Sequence, residues 1–75
     1  MAKSVIVYSQ EGCSACDREK EYLTRKGIAF EVRDIRKNSK YLEELIDGGY
    51  NSTPVTMIDG KAVVGFDPNQ LDALL

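Results

Sequence analysis

Two cysteines, Cys13 and Cys16, lie in the stretch Glu11-Gly12-Cys13-Ser14-Ala15-Cys16-Asp17, and they are the only thiols in a chain of 75 residues. A C-x-x-C pair has four uses: a redox couple, half of a metal site, a structural staple, or two inert buried side chains. A zinc site asks for four ligands, mostly Cys and His, and this chain has two Cys and no His. Haem attachment needs a histidine directly after the second cysteine, where Asp17 stands. Closing so short a loop removes only roughly 2 kcal/mol of unfolded-chain entropy, which makes a weak staple. The pattern therefore favours a redox couple, with two inert thiols as the plain alternative.

The elements that must position this pair follow from the hydrophobic pattern. Lys3 to Ser9 reads as a strand, because Val5, Ile6, Val7 and Tyr8 are apolar on both faces, as in a central strand. Gly12 interrupts it. Ser14 to Lys26 reads as a helix closed by Arg25-Lys26-Gly27, with basic residues suiting the dipole and glycine suiting a left-handed cap. Its inward stripe is Ala15, Cys16, Tyr22 and Leu23; Glu19 is expected at the rim of the core, and Lys20, on the helical face of the cysteines, either acts on them or reaches solvent.

Ala29 to Ile35 reads as a strand with Phe30 and Val32 on one face and Glu31 and Arg33 on the other. Asn38 or Ser39 caps a second helix with Tyr41, Leu42, Leu45 and Ile46 as its apolar stripe, stopped by Gly48-Gly49. Pro54 to Ile58 and Lys61 to Val64 flank Asp59-Gly60, the strongest short hairpin signal. Asp67 caps a last helix with Pro68 at its first position and Leu71, Leu74 and Leu75 inward.

The order β-α-β-α-β-β-α predicts an α/β fold with a four-stranded mixed sheet and helices on both faces. The first two strands are parallel neighbours through a right-handed crossover, and the last two form an antiparallel hairpin. The chain reads as one small domain, residues 1–75.

On this scaffold Cys13 falls at the strand-to-helix turn and Cys16 one helical turn later. Side chains three apart on a helix have Cβ atoms roughly 5–6 Å apart, so the pair opens and closes without moving the fold. Unpaired N–H groups at the helix start favour a thiolate on Cys13, while Cys16 faces inward. Cys13 is therefore assigned as the attacking nucleophile and Cys16 as the resolving thiol. Glu11 and Asp17 oppose a thiolate nearby; Arg18 and Lys20 favour it.

With Thr53-Pro54 before the third strand and Val64-Gly65-Phe66-Asp67 before the last helix, the C-x-x-C pair resembles the glutaredoxin family. The resemblance runs nearly end to end. It implies a thioredoxin-like fold, a cis bond before Pro54 and thiol–disulfide oxidoreductase activity. Such a bond would leave the Thr53 backbone free to pair with an extended substrate. Gly49-Tyr50 and Gly65-Phe66-Asp67-Pro68 look like the NrdH-type redoxins, which take electrons from thioredoxin reductase and pass them to ribonucleotide reductase.

Glutathione-using members typically carry Cys-Pro-Tyr-Cys, a basic residue three positions before the first cysteine, and Gly-Gly before the last helix. Here those places hold Cys-Ser-Ala-Cys, Gln10 and Val64-Gly65. Asp67 still matches the family position near the γ-glutamyl end of glutathione, and Thr53 the backbone-pairing position. Substrate contacts are expected at Gln10, Ser14, Ala15, Thr53, Pro54, Gly65, Phe66 and Asp67. Ser14 also opens an alternative: some glutaredoxins without the proline share an iron–sulfur cluster between two protomers, glutathione completing the thiolates, which would make Cys13 a ligand and the protein a cluster carrier.

Composition narrows the partners. A net charge of −2 with interspersed signs lacks the basic face of a nucleic-acid binder. No apolar run approaches the roughly 20 residues that span a bilayer, and the amino terminus lacks signal-peptide features. The expectations are a cytoplasmic monomer with no tightly bound cofactor and no metal, a disulfide-containing client protein, and glutathione (as co-substrate) or thioredoxin reductase as reductant.

Overall fold

A computed structural model describes residues 4–75; Lys3, where the sequence begins its first strand, lies outside the described residues. The elements follow the expected order: β1 (Val5–Ser9), α1 (Ser14–Arg25), β2 (Glu31–Asp34), α2 (Ser39–Asp47), β3 (Val55–Ile58), β4 (Lys61–Val64) and α3 (Pro68–Leu74). They build one four-stranded sheet in the order β2-β1-β3-β4. β1 pairs parallel with β2 and antiparallel with β3, and β3 pairs antiparallel with β4.

The continuous apolar run of β1 is explained by this central place. Val5 and Val7 enter one core with Leu23 of α1, Ile58, Val63 and Leu71 of α3. Ile6 and Tyr8 face the other way, onto Leu45 of α2 and Val55. The sheet is thus covered on both faces. At the α2 side the Tyr8 hydroxyl donates to Glu44 at 3.0 Å, and Arg33 of β2 donates to the same carboxylate at 2.7 Å.

The local signals act as their chemistry requires. Asp59 and Gly60 both take positive φ, 49° and 85°, as a two-residue turn between twisted strands demands. Asn38 supplies the cap of α2, its side chain accepting from the Lys40 N–H at 2.9 Å. Asp67 caps α3 by accepting from the Gln70 N–H at 3.2 Å. Gly27 ends α1 at φ 72°.

Four expectations need correction. β2 spans Glu31–Asp34, shorter than Ala29 to Ile35, because as an edge strand it has only β1 to pair with, from Ile6↔Glu31 to Ser9↔Asp34. Val32, expected inward beside Phe30, is 43% exposed at that edge, while Phe30 packs on the core. On α2 only Leu45 is buried; Leu42 and Ile46 are exposed. Glu19, placed at the rim by its charge, is completely buried.

Candidate active site

Cys13 is the N-cap residue of α1, with extended backbone at φ −94° and ψ 105°. A cap residue normally offers an oxygen to the first free N–H groups of the helix. Here the acceptor is sulfur: the Cys16 N–H points at Cys13 Sγ from 3.2 Å. The two cysteines are joined as a disulfide with Cα atoms 5.2 Å apart, inside the range that the bridge accepts without backbone movement. The sulfurs are unequal. Cys13 is half-buried, whereas Cys16 is fully enclosed.

The third-strand loop closes over the outer sulfur. Thr53 Oγ1 lies 3.7 Å from Cys13 Sγ and the Thr53 carbonyl oxygen 3.9 Å from it. The Thr53–Pro54 bond is cis, as the resemblance implied, and Pro54 is buried. Gly65, at φ 77°, donates its N–H to the Pro54 carbonyl at 2.8 Å and anchors the loop to the end of β4. Cys13, Thr53, Pro54 and Gly65 are therefore one connected group.

Other expected residues have different company. Ser14 is exposed and Ala15 half-buried at the start of α1. Gln10 is exposed beside Thr53, and with Leu42, Ile46, Tyr50 and Ser52 it lines a largely apolar hollow of about 190 Å³. Phe66 stacks edge-on against Tyr22 with ring centres 5.7 Å apart, and Asp67 serves the helix cap. Lys20 is drawn to Asp17 at 3.5 Å, so that pair is near neutral as seen from the sulfurs. The Cys16 N–H at the helix start supplies positive potential directly at Cys13 Sγ.

The donor set does not fit an iron–sulfur cluster held by this chain alone, because such a cluster takes four thiolates and the sequence offers two.

Sequence reasoning undervalued Glu19. Its spacing from Cys16 and Leu23 already put it on the inward stripe; its charge argued the other way. In the structure Thr56 Oγ1 of β3 donates to Glu19 Oε2 at 2.5 Å. Among the described residues Oε1 has no hydrogen-bond partner. Burial pushes this carboxyl above the ordinary glutamate range, and the Thr56 hydrogen bond opposes the shift only in part. Because the folded pKa exceeds the unfolded one, the folded state binds more protons between them. The stabilising contribution is complete below the ordinary glutamate range and is lost as pH rises through the folded value. Unfolding titrations run upward in pH from the ordinary glutamate range should show that decline, and Glu19→Gln should flatten it. An unchanged slope in the variant would assign the decline to other groups.

Three comparisons with known proteins bear on this site. A family model described as Glutaredoxin matches residues 5–63. The glutaredoxin-like protein NrdH of Lactococcus lactis subsp. lactis is 34% identical over 70 residues, covering 93% of this chain and 97% of the relative. The gene 56 protein of Mycobacterium phage L5 is 37% identical over 75 residues, covering 95% of this chain and 71% of the relative. The crystal structure of the thioredoxin-like protein BC3987 superposes with a TM-score of 0.91 at 36% identity, covering 96% of this chain and 100% of that one. The thioredoxin-like fold expected from the sequence is the fold of this chain.

Proposed function

This chain belongs to the glutaredoxin family, with Cys13–Cys16 as the active-site pair of a thiol–disulfide redoxin, and we propose that it carries electron pairs to protein disulfides, Cys13 attacking and Cys16 resolving. The observation that carries this reading is the inequality of the sulfurs: a half-buried Cys13 Sγ faced by a helix N–H at 3.2 Å, beside a fully enclosed Cys16. An anion on Cys13 is stabilised by that N–H and by the helix start. Cys13 thiolate attacks one sulfur of the client disulfide, forming a mixed disulfide and expelling the other client sulfur as thiolate. Cys16 loses its proton and attacks Cys13 Sγ, the bond to the client breaks, and the second client thiolate leaves. Two electrons pass to the client, whose thiolates take up two protons.

The client is held as an extended chain along Thr53, since main-chain hydrogen bonds give affinity without demanding a sequence. Ser14, Ala15, Gly65 and Phe66 flank that path. The apolar hollow beside Gln10 and Thr53 receives a client side chain.

The reductant is a thioredoxin reductase, as the NrdH-type features suggest, and glutathione is the poorer donor. Glutathione is anionic, and the family's basic position holds uncharged Gln10. The carboxylate of Asp67 is already engaged by the Gln70 N–H. A monomer working in the reducing cytoplasm, without a tightly bound cofactor, suits such a carrier.

NADPH consumption with a disulfide substrate tests the assignment directly. The rate coupled through thioredoxin reductase should exceed the rate through glutathione and glutathione reductase several-fold. A faster glutathione-coupled rate would reverse the donor assignment, and no rate with either would contradict the carrier reading itself.

A further inference from the structure

Glu19 and Cys16 are both fully buried and stand three residues apart on the inward face of α1. At that spacing their Cβ atoms lie roughly 5–6 Å apart, which brings a carboxylate within reach of the sulfur directly or through one water. Glu19 stands at the middle of the sheet, because its partner Thr56 is paired with Val7 on one side and Val63 on the other. A carboxylate there is expensive, more so with one oxygen idle. A leucine would fill the space, and a glutamine would satisfy Thr56 without a charge. The idle Oε1 is thus an acceptor in a place where packing alone gives no reason for one.

The reaction cycle has a need at the same place. Cys16 must lose a proton to attack the mixed disulfide and must regain one after the Cys13–Cys16 bond is reduced, yet its sulfur is sealed from solvent. We propose that Glu19 is the proton carrier for Cys16, which deepens the carrier reading above and rests on it. The carboxylate takes the Cys16 thiol proton, giving Cys16 thiolate and a neutral carboxylic acid. The thiolate then attacks Cys13 Sγ and displaces the client thiolate, and the buried acid keeps its proton for as long as the disulfide lasts. When a reductant attacks Cys13 and expels Cys16 as thiolate, the acid returns a proton to it.

The surroundings leave this exchange to the two groups. On α1, Asp17 and Lys20 pair with each other, and the Tyr22 hydroxyl donates to Asp72 of α3, which Lys26 also contacts. β3 presents Thr56, whereas β1, β4 and α3 present the apolar side chains of Val7, Val63 and Leu71. Burial also lifts the carboxyl toward the pH range in which a thiol can exchange protons with it.

The test uses the full reduced chain and an aromatic disulfide that releases a coloured thiolate. The first release reports attack by Cys13, and the second reports resolution by Cys16. In Glu19→Gln the ratio of second-phase to first-phase rate should fall at least about tenfold near neutral pH, as expected for loss of a positioned base. The second phase should then rise in proportion to hydroxide, without the inflection expected of wild type. An unchanged ratio and an unchanged pH profile would overturn the proposal and leave Glu19 a purely structural group. Absence of the first phase in wild type would instead sink the carrier reading. Should Glu19→Gln fail to fold, infrared difference spectra of wild type supply the second measurement. A carboxylic acid band that is lost on reduction of the disulfide is expected, and a spectrum without that loss would overturn the proposal.

Discussion

Cys13→Ser should leave disulfide-reductase turnover at background, a loss of at least about a thousandfold, whereas Cys16→Ser should stall with its client still attached. The difference follows from the geometry around each sulfur. Cys13 is reachable from outside and faces the Cys16 N–H, so only it can open a client disulfide. Cys16 has no exposure and can reach only the sulfur next to it. With Cys16 gone, the mixed disulfide has no internal thiol to release it and survives until an external thiol does so. Non-reducing electrophoresis and intact-mass measurement after mixing with a disulfide peptide distinguish the outcomes. A stable adduct on Cys16→Ser and none on Cys13→Ser is the expected pair of results. An adduct of equal yield on both variants would contradict the role assignment.

Leu23→Ala should be the most damaging single truncation away from the sulfurs. Leu23 is fully buried and packs among Val5, Val7, Ile58, Val63 and Leu71. Truncating such a leucine destabilises by about 2–5 kcal/mol, the spread reflecting how far the cavity collapses. A chain of 75 residues has a total stability of about 4–11 kcal/mol at the usual value per residue. The substitution thus removes a large share of the whole. Denaturant titration should show a midpoint near half that of wild type or lower. Val64→Ala, at a position 53% exposed on β4, should by contrast stay close to wild type. Equal losses at the two positions would contradict the placement of this core.

How much of this was legible in the sequence depended on whether a residue's local chemistry had one outlet. Asp59-Gly60 did: two successive positive φ values suit few other residues, and the hairpin appeared where expected. Asp67-Pro68 and Asn38 likewise had one structural use each, as a helix start. The central strand was readable because Val5 to Tyr8 is apolar on both faces.

Where the outcome depended on distant partners, the sequence was silent or misleading. The length of β2 was set by pairing with β1, not by its own alternation, so the expected strand ran too long at both ends. Leu42 and Ile46 fell on the apolar face of α2 as their spacing required, yet they line the open hollow beside Gln10 and Tyr50 and stay exposed. Glu19 shows the conflict most plainly. Periodicity placed it inward and residue type placed it outward, and Thr56, found by no local pattern, provides the hydrogen bond that lets the inward position stand.

The site itself was half legible. The position of Cys13 at a helix start and the shielding of Cys16 followed from sequence order alone. The contact of Thr53 with Cys13, across 40 residues of chain, required the fold, although the family pattern had marked the residue. Phe66 and Asp67 were marked by the same pattern, and the structure gives each a packing or capping partner of its own.

The central claim is that the helix start makes one sulfur reactive while the fold keeps its companion in reserve. Brief alkylation of the fully reduced protein at mildly acidic to neutral pH, followed by peptide mass analysis, measures this directly. Modification of Cys13 alone, with Cys16 labelled only after unfolding, is the predicted result. Labelling of both at similar rates, or of Cys16 first, would contradict it.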